Sequence, residues 1–211
     1  MAQQRDAITL RTFAFIDRMQ PQYAALMGTM MNGDVPIAGM AELYIEVAPG
    51  NAVFQVADIA LKGADVRPGM QIVERVFGVL ELHSRSPDAV RAAGSAILRE
   101  LGLSEADRVR PTVVSSQVIT NVDPYMAQLI NQQRKGSLLL PGQSMLVLEI
   151  SPAGYAVLAA NEVEKASDVS LVMVSSIGAS GRVIAAGTTS QVEAARAAIL
   201  ETLPTISGRD G

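Results

Sequence analysis

The sequence predicts an α+β fold built twice in tandem. Three observations carry this reading: an internal repeat in one register, the same order of strand and helix signals in each copy, and a composition rich in small apolar residues. Laid over itself, the 211-residue chain holds an offset of 103 residues, the separation of Glu46 from Glu149. The register pairs Thr9 with Thr112, Pro21 with Pro124, Ala24 with Ala127, Gly33 with Gly136, Lys62 with Lys165, Asp65 with Asp168 and Gly78 with Gly181. One residue then drops out, and Ala96-Ile97-Leu98 meets Ala198-Ile199-Leu200. A period this long marks a duplicated domain, because solenoid repeats run at about 20–50 residues. The join falls near Ser104–Asp107 and divides the chain into residues 1–105 and 106–211.

Each copy opens with a strand, Ile8–Ile16 in copy one, rich in β-branched and aromatic residues. Pro21 suits the first position of a helix over Gln22–Met31, which Asn32-Gly33 ends. In copy two, Asp123-Pro124 supplies both an N-cap and a first-turn proline, and Gly136 stops the helix. A second strand, Ala41–Val47, runs into Pro49-Gly50. A helix follows with Val53, Val56, Ala57, Ala60 and Leu61 at helical spacing on one face. Strands Gln71–Glu74 and Phe77–His83 form a hairpin. Ser86-Pro87-Asp88 then caps a last helix that turns Val90, Ala93, Ile97, Leu98 and Leu101 inward. The order is β-α-β-α-β-β-α, an α+β domain with helices on one sheet.

Composition narrows the function. Hydrophobic residues make up 49 % of the chain, charged residues 18 % and aromatics 4 %, with a mean hydropathy of +0.25. A chain so apolar must bury its surface or share it, and small residues suit close-packed shared faces. No apolar run reaches the roughly 18 residues of a membrane span. Met1-Ala2-Gln3-Gln4-Arg5-Asp6 lacks the apolar core of a signal peptide. With no cysteine there is no disulfide or thiolate metal site, and a net charge of −4 argues against nucleic acid. His83, the only histidine, has no partner histidine for a metal and is read as a surface or interface residue. No nucleophile, base and orienter stand together, so neither an enzyme nor a cofactor is expected.

Two loops draw attention. The first is Glu74-Arg75-Val76-Phe77-Gly78, an acid and a base between two apolar strands. An exposed pair of this kind is ordinarily a solvated contact worth about 0–1 kcal/mol. Copy two has Ile177-Gly178 at the corresponding positions, so the hairpin folds without charge there. Neighbouring side chains on an extended segment point to opposite faces, and a small backbone change beside Gly78 would exchange them. The second loop, Ile177-Gly178-Ala179-Ser180-Gly181, is small and flexible, as a tight turn requires. Lys62 and Lys165 both end amphipathic helices, where a cation is favoured by about 0.3–1 kcal/mol.

Glu149-Ile150-Ser151-Pro152 with Ala159-Ala160-Asn161-Glu162-Val163-Glu164-Lys165-Ala166-Ser167-Asp168-Val169, and its partner Ala57–Val66, resemble the signature of bacterial microcompartment shell domains. The strand and helix ahead of this signature are similar to the circularly permuted version of that domain. Glu46-Val47-Ala48-Pro49-Gly50, Val73-Glu74-Arg75 and Asn121–Tyr125 with Gln128–Asn131 resemble the tandem, doubly permuted carboxysome subfamily.

The resemblance implies two ferredoxin-like antiparallel sheets, each with helices on one side, and a homotrimer whose domains mimic a hexamer. It implies a flat shell tile in the cytoplasm, alongside hexameric and pentameric shell proteins, with two trimers able to stack. Both loops would line a gated central pore that passes small metabolites. Lys62 and Lys165 would sit at tile edges. Ser180 departs from the subfamily, which carries an aromatic there and often a Tyr at Phe77. The same domains also allow an alternative, a discrete trimeric regulator that binds a small molecule.

Overall fold

The computed structural model describes residues 8–211, so the reading of Met1–Asp6 lies outside the described residues. Copy one forms β1 (Thr9–Ile16), α1 (Pro21–Gly28), β2 (Ala41–Ala48), α2 (Ala52–Gly63), β3 (Arg67–Glu74), β4 (Phe77–Ser84) and α3 (Pro87–Leu101). Copy two repeats the order as β5 (Thr112–Ile119), α4 (Pro124–Gln133), β6 (Ser144–Ser151), α5 (Tyr155–Ala166), β7 (Ser170–Ser175), β8 (Gly181–Gly187) and α6 (Thr189–Thr202). The strands make two antiparallel sheets with the same topology, β1-β2-β4-β3 and β5-β6-β8-β7. Helix α1 ends earlier than the sequence suggests. Strand β3 begins earlier, because a register shift between Pro68 and Met70 accommodates the proline.

Alternation decides what each sheet face holds. In copy one, Leu43, Ile45, Leu80 and Leu82 point to one face, where Val53 and Val56 of α2 and Val90 and Ile97 of α3 close a core. Leu61 was expected on that inner face but is largely exposed, and Leu101 is only half-buried. The intervening residues Glu42, Tyr44, Glu46, Glu81 and His83 point to the opposite face, and all of them are buried.

That burial comes partly from α1 and the segment after it, which cover Glu42, Glu81 and His83, and partly from the other copy, which covers Tyr44 and Glu46. A continuous apolar cluster runs from Tyr23, Leu26 and Met27 of α1 through Tyr44 to Tyr155, Ala160 and Val163 of α5. Each large side chain buried there stabilises by about 1.5–3 kcal/mol. Polar contacts fix the fit. The Tyr44 hydroxyl meets Ser176 Oγ at 2.8 Å. The Gln22 side chain donates to the Val169 carbonyl at 2.8 Å and accepts from the Leu171 N–H at 3.0 Å, as an added strand residue would. The segment joining the copies is pinned as well: Arg108 donates to the Phe13 carbonyl and the Tyr155 hydroxyl to the Val109 carbonyl.

Helix α1 has no side-chain cap of its own at Gln20. Its cap comes from copy two: Glu164 accepts the N–H groups of Gln22 and Tyr23 at 2.8 and 2.7 Å, and Asn161 accepts that of Gln20 at 2.9 Å. A carboxylate at a helix N-terminus satisfies orphan donors and meets the positive end of the dipole. Glu164→Ala should therefore destabilise the chain by about 1 kcal/mol, lowering Tm by about 2–4 °C. Urea unfolding measures this, and an unchanged midpoint would contradict the cap.

Candidate functional site

The two hairpin tips, β3–β4 and β7–β8, are built differently. Glu74 and Phe77 form the last pair of the first hairpin and leave Arg75 and Val76 at its tip. Arg75 has φ 55°, a left-handed conformation that costs a non-glycine residue about 1–2 kcal/mol. The turn folds its guanidinium back, with Nε 3.5 Å from Glu74 Oε1, while its side chain stays 89 % exposed. The expectation that the two charges sit on an extended segment facing opposite ways is thus corrected. Gly78 is corrected too. It is buried, and an added Cβ would strike the Gly50 carbonyl, so it serves close packing and not a hinge. Gly181 plays the same part against the Ala153 carbonyl.

Behind the first tip stands a feature missed in the sequence. The Arg11 guanidinium lies 3.8 Å from the centre of the Phe77 ring, a cation–π contact, and its Nε is 3.4 Å from Glu46 Oε1. Thr12 Oγ1 donates to Glu46 Oε2 at 3.0 Å. Burial pushes the Glu46 carboxyl up, opposed by the charge of Arg11 and the Thr12 hydrogen bond. In copy two the equivalent Glu149 holds its tip directly, accepting from Ser180 Oγ at 2.6 Å. The matching positions of Glu46 and Glu149 were the available signal.

The second tip is less free than its composition suggests. Ser176 is buried against Tyr44 and Ser180 is tied to Glu149, which leaves Ile177, Gly178 and Ala179 between two anchors. Gly178 has φ 115°, and a Cβ there would meet open space, so backbone geometry sets the requirement for glycine. Lys62 and Lys165 each pair locally, with Asp58 at 2.7 Å and Glu162 at 3.2 Å, on exposed helix ends.

His83 overturns its reading as a surface or interface residue. It is fully buried, with Nδ1 3.0 Å from Glu81 Oε1 and Nε2 3.2 Å from Asp34 Oδ1. The Gly69 N–H donates to Glu81 Oε2 at 3.0 Å, and Arg67 pairs with Asp34 at 3.0 Å. Tyr23 donates to Glu42 Oε2 at 2.7 Å, while Glu42 Oε1 is buried without a partner among the described residues.

The described residues thus form a duplicated α+β chain with a charged hairpin tip in one copy and a glycine tip in the other. Comparisons agree. Residues 10–107 match the model of the CsoS1D N-terminal domain. The chain is 44 % identical over 203 residues to the carboxysome shell protein CcmP of Synechococcus elongatus, covering 96 % of this chain and 95 % of that one. It is 48 % identical over 193 residues to the carboxysome shell protein CsoS1D of Hydrogenovibrio crunogenus, covering 90 % and 94 %. Among solved structures it matches a fused permuted hexameric shell protein of the RMM microcompartment, with TM-score 0.92, 46 % identity and 96 % and 100 % of the two chains. A double-ringed trimeric shell protein of the same microcompartment gives 0.93, 39 %, 97 % and 100 %. The chain belongs to the bacterial microcompartment shell proteins, in the fused, permuted group that includes CcmP and CsoS1D, and it is a structural component of such a shell.

The exposed Glu74–Arg75 contact has the geometry of a weak surface pair. Replacing both residues by Ala should change unfolding free energy by no more than about 0.5 kcal/mol. A larger loss in denaturant titration would make the pair a folding element.

Proposed function

We propose that the chain closes into a trimeric ring whose six domains tile the shell, and that the ring encloses a charged, gated pore for small metabolites. The observation behind this is a mismatch between equivalent residues. Leu26 of α1, packed against copy two, is 2 % exposed, whereas its counterpart Leu129 on α4 is 57 % exposed. Val157 of α5 is 0 % exposed, whereas its counterpart Phe54 on α2 is 57 % exposed. The chain therefore ends in the two halves of a contact it already makes once internally. A head-to-tail contact of this kind must close into a ring or run on as a filament. Trimeric relatives support the ring.

The chemistry at the two ends fits. Where Glu164 caps α1, the corresponding residue on α2 is Leu61, which cannot cap. Helix α4 accordingly carries its own cap, with Asp123 accepting the Tyr125 N–H at 2.8 Å. Gln22, which meets Glu164, corresponds to Tyr125, so the contact between chains exchanges a polar cap for an apolar Tyr125–Leu61 contact. The cleft lined by Pro49, Asn51, Val73 and Val76 is open. Its counterpart at Gly154 and Ser176 is filled by Thr12 and Tyr44. A neighbouring chain entering that cleft would lie against the Glu74–Arg75 tip and bring the hairpin tips of successive chains together.

With three copies of each charge near one axis, repulsion is relieved when Glu74 meets an arginine of another copy, and the strained Arg75 turn supplies a second arrangement. A ring of charge also biases which solutes pass. Lys62 and Lys165 would act at the outer edges of the tile, their stems lying along a neighbour. Val35 and Ile37 are exposed at the positions equivalent to the exposed Leu138 and Leu140, which gives both copies one apolar face for stacking a second ring.

Leu129→Asp should turn rings into single chains by native mass spectrometry, and persistence of the trimer would refute the shared-interface account. The Glu74, Arg75 double Ala variant should keep the ring but lose charge discrimination among small solutes crossing assembled shells, and unchanged selectivity would remove the pore role. Ile37→Glu with Leu140→Glu should split stacked rings into single ones, whereas stacks that survive would place that contact elsewhere.

A further inference from the structure

The polar cluster on the buried face of the first sheet is absent from the second copy. Glu42, Glu81, His83 and Tyr23 correspond to Met145, Ile184, Ala186 and Met126, and Asp34 and Arg67 to Ser137 and Ser170. In copy two Met145, Ile184 and Ala186 help make an apolar cluster with Leu139 and Val172. The fold therefore does not require the acids or the histidine.

Both copies share a strap at this place. After α1, the N–H groups of Asn32 and Gly33 donate to the Gly69 carbonyl and that of Asp34 to the Pro68 carbonyl. In copy two Lys135 and Gly136 donate to the Val172 carbonyl and Ser137 to that of Leu171. Among the described residues, only in copy one does a side chain of the strap itself, Asp34, bond to side chains of the sheet; the copy-two strap has a long contact from its neighbour Arg134 to the Gly136 carbonyl at 3.5 Å.

We propose that His83 is a proton-operated latch that fastens the Asn32–Asp34 strap of copy one, and with it the exposed Val35 and Ile37, to the edge of the sheet. The geometry supplies the reason. An ionised carboxylate only accepts, so with Glu81 and Asp34 both ionised Nδ1 donates to Glu81 while Nε2 donates to Asp34, and only the doubly protonated ring does both. A neutral ring keeps one bond. Glu81 is buried and also takes the Gly69 N–H, whereas Asp34 is partly exposed and water replaces its partner readily, so the Asp34 end is the one released.

The surrounding charges act in the same direction. Burial lowers the His83 pKa, but the hydrogen bonds and charges of Glu81 and Asp34 outweigh it, and the net shift is upward from the ordinary value. On the neighbouring β2, burial and the nearby Glu81 raise Glu42 well above the usual carboxylate range, against the Tyr23 hydrogen bond. Burial likewise raises Glu81, opposed by His83 and the Gly69 N–H. Arg67 on β3 faces Asp34 from the solvent side, and Tyr23 and Tyr44 are the further titratable neighbours among the described residues. Groups whose folded pKa is raised contribute stability that is complete at low pH and lost as pH rises through the raised value. Rising pH removes the imidazolium charge and with it the bond to Asp34, while any negative charge gained at Glu42, paired across the strands with His83, favours the imidazolium and only delays that loss.

Amide hydrogen exchange on the assembled protein, corrected for intrinsic rates, tests this from about pH 6 to pH 8.5. Opening at Asn32, Gly33 and Asp34 should become more frequent by up to about tenfold per pH unit between the open-state and latched pKa of His83. Lys135, Gly136 and Ser137, with the same backbone bonds and no latch, should show no such slope. His83→Gln should flatten the copy-one profile at the open level, as should the combined Glu42→Met, Glu81→Ile and His83→Ala variant that gives copy one the residues of copy two. A flat wild-type profile, an equal slope in both straps, or a slope that survives His83→Gln would overturn the latch. The comparison of the two straps in the unmodified protein decides the matter even if a variant fails to fold. None of these outcomes depends on the pore.

Discussion

Everything in this molecule leans on the contact between α1 of the first copy and α5 of the second. There a helix without its own cap is completed by Glu164, a glutamine side chain bonds to backbone groups beside β7, and Tyr44 and Ser176 close the polar face. The contact buries the face of the first sheet that carries Glu42, Tyr44 and Glu46, which otherwise would be an exposed surface. Because the chain is a duplication, the same contact exists in outline at each end, unfilled. In the proposed ring one interface would be used repeatedly, with its polar details adjusted where the junction would lie between chains: Leu61 in place of Glu164, Tyr125 in place of Gln22, and Asp123 as a self-supplied cap.

Duplication also freed the two copies to diverge where one function suffices. Copy one carries the charged hairpin tip, supported from behind by Phe77, Arg11 and Glu46. Copy two carries a glycine tip held at both ends by Ser176 and Ser180. The buried faces diverged in the same manner, one toward acids and a histidine and the other toward methionine, isoleucine and alanine. A buried charge that a homologous fold does without costs desolvation. Its retention in only one copy points to a role outside folding.

Much of the fold was legible in the sequence because the signals were local. Pro21, Asp123-Pro124 and Ser86-Pro87 mark helix starts, and the period-two pattern of β2 and β4 sorts leucines from acids. The site was partly legible: the hairpin tip was located, but the backbone at Arg75 and the packing role of Gly78 depend on φ values and neighbours that residue types do not encode. His83 was misread for a related reason. It lies next to Leu82 on β4 and so faces away from the leucine side, onto a face that is covered by α1 and copy two, a long-range fact. Nothing near Glu164 in the sequence marks it as a helix cap, because its partners lie more than a hundred positions away.

In the proposed ring the interface inside the chain is repeated between chains. The protein contains no cysteine, so thiols can be placed at Leu61 and Tyr125 alone. A short bismaleimide applied to Leu61→Cys, Tyr125→Cys protein should give a covalently closed trimer on a denaturing gel, while either single variant gives none. Recovery of uncrosslinked chains from intact rings would contradict the account.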